Sequence, residues 1–547
     1  MTLTLNGIET TFQAQDRWLD LIARLPDGGE SALGVAVAGE TCALAELAQE
    51  GVDARVLTFA DEEGRRIYER SLQMLFLAAL HHVDAGAHAR IEHSLGAGLV
   101  IRVTWTDGIP RWDDVRDRMR TLAALRLPID VKLFTKDEAD AYFARTGQEE
   151  RVRLNRWRAF EHFTLYRVDG YEDYFYGKMV PDTGCVRAFD LIEYDGGAVL
   201  MQPDPEDPSR SAPFCALPKL MTVYNETARW QAILDCANVA DLNDMIENRR
   251  LREFIRVNEA LQEHRIAEIA RQFIESGARL MLIAGPSSSG KTTFAHRLAI
   301  ALRVHGLKPV KLSLDDYYRS RHLLKREPDG SLDLERLDTL DVELLNEHLP
   351  KLLAGETVQL PVYDFKTGTR SERTHDMTLA KGQPLIIEGI HGLNDELTSA
   401  VSRDQKFKIY ISALTMLNLD DHNRIRTTDA RLLRRIVRDH LFRGTPPEET
   451  MAMRASVRRG EENYIFPWQE EADAMFNSSL SYELPIMKRY AYPRLKEIAP
   501  TSPYYTLAMR LVKFLNYIQE ADVEDEIPVN SILREFIGGC CFYREDD

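Results

Sequence analysis

Residues 285–292 read GPSSSGKT, a spacing of glycines, serines and one lysine that suits phosphate chemistry. Gly285, four residues and then Gly290-Lys291-Thr292 match the phosphate-loop pattern GxxxxGK[ST]. Small residues let successive backbone N–H groups surround a phosphate, and a helix that starts at the loop adds its positive end. The lysine is placed to bridge two phosphates and the threonine hydroxyl to ligate Mg²⁺. The sequence therefore predicts a nucleoside triphosphate site formed by Gly285, Pro286, Ser287, Ser288, Ser289, Gly290, Lys291, Thr292 and Thr293.

Two acidic positions follow apolar runs further along the chain. PVKLSLDDYY (309–318) ends in Asp315-Asp316, and PLIIEGIHGL (384–393) contains a strand ending in Glu388. Strand ends on one edge of a parallel sheet meet at the ligand site, where one carboxylate can accept a hydroxyl proton and another can assist Mg²⁺ binding. The alternative for Asp315 and Asp316 is that they cap a helix or lie in a solvated loop. No guanine-reading NKxD follows Lys291, and no hhhhDE strand is present, so the pattern favours a kinase over a GTPase or a motor.

A third element, RIRTTDARLLRRIVRDHLFRG (424–444), is rich in arginine. On a helix, Arg431, Arg434, Arg435 and Arg438 fall at i, i+3, i+4 and i+7 and form one basic face. Guanidinium groups suit phosphate oxygens, so this helix and Arg443 after it are predicted to be a mobile cover over a triphosphate. The alternative is an exposed charged helix with local ion pairs.

Strand and helix patterns surround these residues in the order that positions them. RLMLIA (279–284) is a buried-strand run directly before the loop, and TTFAHRLAIALRVHG (292–306) is helical directly after it. Strand and helix signals alternate through 278–500, which predicts a parallel α/β sheet. Upstream, TLTLNGIETTF predicts a hairpin turning at Asn6-Gly7, 62–83 a helix, and 239–277 a charged helical arm.

The ordered motifs GPSSSGKTT, LSLDDYYR, TVQLPVYDF, IIEGIHGL and RLLRRIVRDHLFRG resemble those of the uridine kinase/phosphoribulokinase family over about residues 278–500. The resemblance implies ATP- and Mg²⁺-dependent phosphorylation of a sugar hydroxyl, usually the 5′-hydroxyl of a pyrimidine nucleoside. It implies a general base at Asp315, and catalytic or ATP-binding roles for Lys291, Arg438 and Arg443. Thr292 and Glu388 would serve the metal.

On the acceptor side the resemblance implies a nucleoside pocket with a carboxylate for the ribose. The matching positions are Tyr318, Tyr363, Arg370 and Arg435, with Glu335 as the ribose carboxylate and Asp333 as the second choice. Two positions depart from uridine kinases. Gly368 stands where those enzymes carry a base-recognising histidine, and Thr445 where they carry an arginine. The ATP side is intact in this pattern, and the identity of the acceptor stays open.

The front half resembles two modules of threonyl-tRNA synthetase. Residues 1–60 are similar to its β-grasp TGS domain and residues 61–225 to its α+β editing domain. The editing chemistry would need histidines and a cysteine at positions that Arg70, Met74, Phe175 and Met179 occupy here, so we do not expect editing activity. The alternatives for this half are a ligand-sensing, RNA-contacting or oligomerising appendage, and a net charge of −17 speaks against strong RNA binding.

The composition and the apolar segments indicate where the protein is located and how it is divided into domains. The 547 residues include six cysteines without a CxxC pair, show no signal-peptide pattern, and have no apolar stretch long enough to span a bilayer, so we expect a cytoplasmic protein without a membrane segment. The expected domains are 1–60, 61–225, a helical connector at 226–277, an α/β kinase domain at 278–500, and a C-terminal helix with a docked tail (530–543) at 501–547.

Three functions remain open on this basis. The first is an ATP-dependent nucleoside kinase of uridine or cytidine type. The second is a kinase of another small sugar or phosphosugar hydroxyl. The third is a nucleotide-gated RNA-binding or regulatory protein. Homo-oligomer formation is also left open.

Overall fold

The computed structural model describes residues 1–25, 29–158, 160–326, 332–333, 335–364 and 367–543. The first part of the chain is a mixed sheet with a short helix against it. Its elements are β1 (Thr2–Leu5), β2 (Ile8–Thr11), α1 (Trp18–Ile22), β3 (Gly34–Val37), β4 (Glu40–Cys42) and β5 (Asp53–Leu57). The strand order is β2-β1-β5-β3-β4, with β1 and β5 parallel and the other neighbours antiparallel. Asn6 and Gly7 both have positive φ angles, as the predicted tight turn between β1 and β2 requires.

A long helix and two antiparallel sheets follow. The elements are α2 (Glu62–Val83), β6 (His88–Leu95), β7 (Gly98–Thr104), α3 (Trp112–Leu125), β8 (Asp130–Thr135), α4 (Lys136–Arg145), α5 (Glu149–Asn155), β9 (His162–Val168), β10 (Tyr171–Tyr174), β11 (Asp190–Tyr194) and β12 (Gly197–Met201). The sheets have the orders β11-β12-β7-β6 and β10-β9-β8. Helix α2 has the predicted bounds, and from Ile67 to Leu80 nearly every residue is buried.

Three helices connect this region to the rest of the chain: α6 (Pro218–Ile233), α7 (Val239–Glu247) and α8 (Leu251–Ser276). Asn238 and Asp241 form a capping box that starts α7. Gly277 ends α8 in the left-handed conformation, directly before the next strand. The helical arm expected over 239–277 is therefore two helices in sequence.

The C-terminal part is a parallel α/β sheet with helices around it. The elements are β13 (Leu280–Ala284), α9 (Lys291–Val304), β14 (Val310–Ser313), α10 (Val342–Ala354), β15 (Val358–Asp364), β16 (Thr369–Met377), β17 (Leu385–Glu388), β18 (Lys406–Ser412), α11 (Thr427–Arg443), α12 (Pro447–Ala452), α13 (Arg454–Tyr464), β19 (Ala474–Asn477), α14 (Glu483–Lys496), α15 (Tyr505–Leu515) and α16 (Arg534–Ile537). The sheet order is β14-β17-β13-β18-β19, parallel throughout, and β15 pairs with β16 as a hairpin. The predicted parallel sheet is confirmed, and β13 lies at its buried centre.

The front half packs directly against this sheet region. Tyr174 and Tyr517 share a buried hydrogen bond of 2.7 Å between their hydroxyls, and Asn418 donates its amide to the Ile91 carbonyl at 2.8 Å. None of the helices in the described part of the chain combines the length and apolarity that crossing a membrane requires.

Candidate functional site

Glycines in the loop between β13 and α9 let the loop backbone lie close to neighbouring elements. A Cβ atom on Gly285 would lie 1.9 Å from the Ile411 carbonyl oxygen of β18, so only glycine fits there. Gly290 has a φ of +81° and caps α9, a conformation that side chains disfavour. Because β13 ends at the loop and α9 starts from it, the amides of the loop face the carboxyl edge of the sheet.

The loop has polar groups that fit a phosphate. The hydroxyls of Ser288 and Ser289 are buried and have no hydrogen-bond partner among the described residues. The Lys291 ammonium donates to the carbonyls of Gly285 at 2.9 Å and Pro286 at 3.2 Å, and so folds back over the loop. Unpaired buried hydroxyls are costly, and phosphate oxygens accept from such groups, so the residues present fit a bound phosphate.

The pair predicted to serve a metal lies together. The Thr292 hydroxyl donates to Glu388 Oε2 at 3.1 Å. Burial raises the pKa of Glu388, while the Lys291 ammonium and the Thr292 hydroxyl act in the opposite direction. Threonine hydroxyl and carboxylate oxygens are the hard ligands that Mg²⁺ prefers.

Asp315 lies at the end of β14, in a short turn over Leu314–Tyr317. Its side chain is exposed to the cleft, and partial desolvation by the cleft walls raises its pKa, while the Lys291 ammonium lowers it. Asp316 faces another direction, because its carboxylate accepts from the backbone of Tyr363. Of the two acids, Asp315 is therefore the one that Lys291 acts upon.

The acceptor-side candidates line the same cleft in part. Glu335 packs on Gly460, where a Cβ atom would lie 2.8 Å from the Glu335 Cβ. Burial raises the pKa of Glu335, opposed by Lys291 and Arg435, so its carboxylate lies within the electrostatic reach of the loop. Asp333, the second choice, accepts from the Glu335 amide at 3.0 Å and thus shapes the turn that presents Glu335.

The two predicted tyrosines form a ring pair, and the predicted arginine is held beside them. The Tyr318 and Tyr363 rings lie 5.6 Å apart at 50°. The Arg370 guanidinium donates to Asp341 at 2.9 Å and to the Tyr318 carbonyl at 3.4 Å. Arg370 therefore supports the backbone of the tyrosine segment.

Two arginines of α11, the helix predicted to be a mobile cover, pair with acids on other elements. Arg431 donates to Glu461 at 2.7 Å and to the Ser287 carbonyl of the loop at 3.2 Å, and Arg434 is fully buried against Glu483 at 3.0 Å. These acids lie 30 and 49 residues further along the chain, so the spacing within α11 could not indicate them. Two of the four arginines on the predicted basic face therefore bind acids on neighbouring elements and hold α11 in place.

The remaining arginines of α11 stay near the site. Arg438 lies 3.0 Å and Arg443 3.3 Å from Asp439, and Arg435 lies 3.5 Å from the same residue. The Arg438 charge is among the groups that lower the pKa of Lys291, after the effect of burial. A phosphate would compete with Asp439 for these guanidinium groups.

One residue at the site was missed by the sequence analysis. Glu535, in α16, accepts from the Thr293 hydroxyl at 2.7 Å and from the Thr293 amide at 3.3 Å. Ile532 lies against Gly290, and Phe542 stacks on His296 with ring centroids 4.8 Å apart. The tail at 530–543 contacts the start of α9, a position that no local pattern in its apolar sequence indicates.

Comparison with known proteins is consistent with this geometry. The sequence profile of the Phosphoribulokinase / Uridine kinase family matches residues 280–483. Uridine kinase of Bacillus pumilus is 30% identical over 192 residues, which cover 35% of this chain and 82% of that enzyme. Uridine kinase of Macrococcus caseolyticus is 32% identical over 193 residues, covering 35% of this chain and 84% of the relative. The chain belongs to the phosphoribulokinase/uridine kinase family.

Solved structures of low similarity also match part of this family member. A structure named as a possible uridine kinase from Bacillus stearothermophilus has 22% identity and a TM-score of 0.27, covering 39% of this chain and 98% of the other. D-glycerate 3-kinase from Cryptococcus neoformans has 14% identity and a TM-score of 0.20, covering 51% of this chain and 89% of the other.

The family match concerns the C-terminal α/β part of the chain. Family membership supports a phosphotransferase that binds a nucleotide. The matched residues 280–483 contain the loop, Asp315, Glu335, Glu388 and the arginine helix.

Proposed function

We propose that this protein is an ATP-dependent kinase that transfers the γ-phosphate to a hydroxyl of a nucleoside, with the 5′-hydroxyl of uridine or cytidine as the acceptor. The observation that carries the proposal is the set of charges around Lys291. Glu388, Glu535 and Glu335 raise its pKa and Arg438 lowers it, with burial as the larger lowering influence. Glu388 and Glu335 therefore lie close enough to Lys291 to act on its charge, which supports a shared role in the proposed reaction.

The chain's own groups have distinct tasks in this proposal. The loop amides, the Ser288 and Ser289 hydroxyls and Lys291 hold the triphosphate, and Arg438 and Arg443 neutralise charge on it. Asp315 accepts the proton of the attacking hydroxyl as the oxygen–phosphorus bond forms and ADP leaves. Mg²⁺, held by Thr292 and Glu388, would supply further charge neutralisation at the phosphates.

Acceptor binding is assigned to the Tyr318–Tyr363 wall and Glu335. Aromatic rings stack on a base or cover a sugar face, and a carboxylate accepts from two neighbouring ribose hydroxyls. Arg435, which acts on the pKa of Glu335, is proposed to orient that carboxylate.

A second acceptor class has support from one position. Gly368 has a φ of +68°, and a Cβ there would lie 2.5 Å from Arg321 Cδ and 2.8 Å from Arg321 Nε. The position of the expected base-reading histidine is thus next to a guanidinium, which favours an anionic acceptor such as a phosphosugar. This alternative keeps the same loop, base and metal residues.

We propose TGS-like and editing-like origins for the ranges 1–60 and 61–225, linked by 226–277 to the kinase domain at 278–500, in a cytoplasmic enzyme. The mixed sheet β2-β1-β5-β3-β4 supports the first assignment. RNA contact by this half is a weaker proposal, because the chain carries a net charge of −17.

An acceptor screen on the full chain tests the proposal. Purified protein with Mg²⁺ and ATP is given uridine, cytidine, ribose, fructose and their 5- or 6-phosphates in separate reactions, and ADP and the phosphorylated product are both quantified. Uridine or cytidine should give product in a one-to-one ratio with ADP. Product only from phosphosugars would replace the nucleoside assignment with the second class. ADP release that is equal with and without every acceptor would contradict both.

A further inference from the structure

A second polar cavity lies where the front half meets the C-terminal part, outside the phosphate loop. It measures about 80 Å³ and is lined by α2, by the segment before α11 and by α15. Five of its lining residues are arginines and two are acids: Arg66, Arg70, Arg424, Arg426, Arg510, Glu69 and Asp429. These side chains alone give the lining a charge of about +3 (five minus two).

The two acids are already shared among four of the arginines. Glu69 lies 2.8 Å from Arg426 and 3.3 Å from Arg424. Asp429 lies 3.1 Å from Arg66 and 2.6 Å from Arg510. Neighbouring Glu62 and Glu63 contact the outer sides of Arg66 and Arg510 and form part of the same network.

Arg70 differs from these four arginines, because its partner is a backbone carbonyl. Its Nε donates to the Lys178 carbonyl at 2.9 Å, and within the described residues it forms no ion pair with a carboxylate. Burial lowers its pKa. A guanidinium that faces the cavity and forms no ion pair has N–H groups available to an anionic ligand.

Arg424 provides a second unsatisfied donor. Its side chain is 9% exposed, its Nη2 reaches both Glu69 oxygens at 3.3 Å, and its Nε has no hydrogen-bond partner among the described residues. A buried N–H without an acceptor is costly, and a bound anion would remove that cost.

The surroundings strengthen the positive field. Tyr176 lines the cavity, and the Lys513 ammonium lies 5.2 Å from the centre of its ring. The pKa of Lys513 is lowered to about 8 by burial, and the nearby charges that act on it are the cations Arg158, Lys178 and Arg70.

We propose that this cavity is a binding site for a small phosphate-bearing molecule, held by Arg70 and Arg424 with the other lining guanidinium groups around it. A phosphate monoester is a compact dianion that accepts the forked N–H pairs of arginine. The volume of about 80 Å³ favours a small molecule over a nucleic acid strand. Asp429 and Arg431 lie two residues apart on α11, so they project to different sides of the helix. Arg431 contacts the phosphate loop, and the proposed site lies on the other side.

Binding is tested with inorganic phosphate and glycerol 3-phosphate as probes, by calorimetry on the full chain at constant ionic strength. The measurements are made on Lys291→Ala protein, because the phosphate loop would otherwise bind the same probes. The account expects one remaining site, and at least a tenfold weaker affinity when Arg70→Met is added. Arg167→Met, a 56% exposed arginine on β9, is the matched control and should leave the affinity unchanged.

The same series of variants distinguishes a folding defect from a loss of binding, and an organic phosphate from the free phosphate ion. Arg70 has no carboxylate partner to strand, so Arg70→Met should keep or raise the melting temperature without phosphate. Arg424→Met is the second variant and should also weaken the binding. Stronger binding of glycerol 3-phosphate than of inorganic phosphate identifies an organic phosphate as the ligand, and the reverse identifies the free ion. Equal affinity with and without Arg70 and Arg424 would overturn the proposal. Arg70-dependent binding of a short RNA without binding of either small probe would overturn it as well.

Discussion

Among single residues, Asp315 and Asp316 have different proposed roles: only Asp315 is the proton acceptor of the reaction. Asp315→Asn should lower kcat by about 10²- to 10⁴-fold, because the attacking hydroxyl loses its proton acceptor. The Kd for ATP should change little, since the loop and Lys291 stay in place. The matched control is Asp316→Asn, whose carboxylate accepts from the Tyr363 backbone and faces away from Lys291. Steady-state kinetics and nucleotide titration check both variants, and equal losses in the two would remove the assignment.

The pH dependence of the reaction reports on the same carboxylate. Desolvation raises the pKa of Asp315 above its ordinary value of 3.8, with Lys291 in opposition. A general base works only when deprotonated, so kcat/KM should fall with decreasing pH through that raised pKa, above the range of an ordinary aspartate. The measurement is a pH profile of kcat/KM with saturating Mg²⁺, and an acid limb that appears only below pH 3.8 would contradict the assignment.

The residues of the loop were predictable because their chemistry is local. Gly285, Gly290 and Lys291 act through backbone geometry and spacing, which a short stretch of sequence records. Glu335 was preferred over Asp333 only through the family resemblance, and the observed turn gives the two residues different positions. The sequence did not predict a role for Glu535, because a single acid in an apolar tail forms no pattern that indicates contact with a distant helix.

At the scale of elements, the tail that covers the start of α9 has a measurable consequence. The Glu535 carboxylate accepts from the Thr293 amide and hydroxyl, where a helix N-terminus would otherwise meet an anionic ligand. Glu535→Gln should therefore tighten ATP binding by about twofold to fivefold, because the competing charge is removed. Asp525→Asn, with a 66% exposed side chain in the preceding segment, is the control for the loss of one acid. If ATP binds more weakly to Glu535→Gln, the carboxylate supports the site instead of competing with its ligand.

Helix α11 is the element whose role the sequence predicted least well. Its apolar and basic periodicity predicted the helix itself, but the partners of Arg431 and Arg434 lie on α13 and α14. Arg434→Met should destabilise the protein by about 3 kcal/mol, because Glu483 is left buried without a cation. Denaturant unfolding measures this loss.

Two further variants make that test specific. Arg443→Met, at a 59% exposed side chain, should change the free energy of unfolding by less than about 1 kcal/mol. The double variant Arg434→Met with Glu483→Met should recover most of the loss, since no buried charge remains. A double variant as unstable as the single one would show that packing, and not the unpaired acid, sets the cost.

The parallel sheet was predictable for a physical reason that does not extend to the helices. The runs at 280–284 and 385–387 are apolar throughout and are typical of central strands in a covered sheet, which brings their carboxyl ends to one edge. Helix faces instead depend on what packs against them. The direction of Arg431 and Arg434 is set by acids on α13 and α14, beyond the reach of local periodicity.

At the scale of the whole molecule, the junction between the two halves depends on buried charge. Burial alone would raise the pKa of Glu69, but Arg424, Arg426 and Arg66 outweigh it and lower that pKa to about 2. A depressed folded-state pKa stabilises the fold above the ordinary value of 4.5, and this stabilisation is lost as the pH falls toward 2. Melting temperature measured from pH 6 down to pH 2 should fall through this window. Glu69→Gln should have a lower melting temperature at neutral pH and a smaller further loss in acid; parallel curves for the two proteins would argue against this role.

The junction also marks the limit of what the sequence could predict at this scale. The helix over 62–83 was predicted with its bounds, because its apolar periodicity is sustained over six turns. Its partners across the junction were not, since Arg66 and Asp429 are separated by 363 positions. The cavity at this contact arises from the assembly of both halves and is not recorded in either one alone.

The proposed reaction requires a triphosphate bound at the loop 285–292 to transfer a phosphoryl group to an alcohol next to Asp315. The most direct measurement is mass-spectrometric detection of nucleoside monophosphate after incubation of the full chain with Mg²⁺, ATP and uridine or cytidine, for the wild type and Asp315→Asn. The account predicts one monophosphate per ADP in the wild type, and almost none in a variant that still binds ATP. Failure of the wild type to bind ATP, or monophosphate formed at the same rate by both proteins, would contradict it.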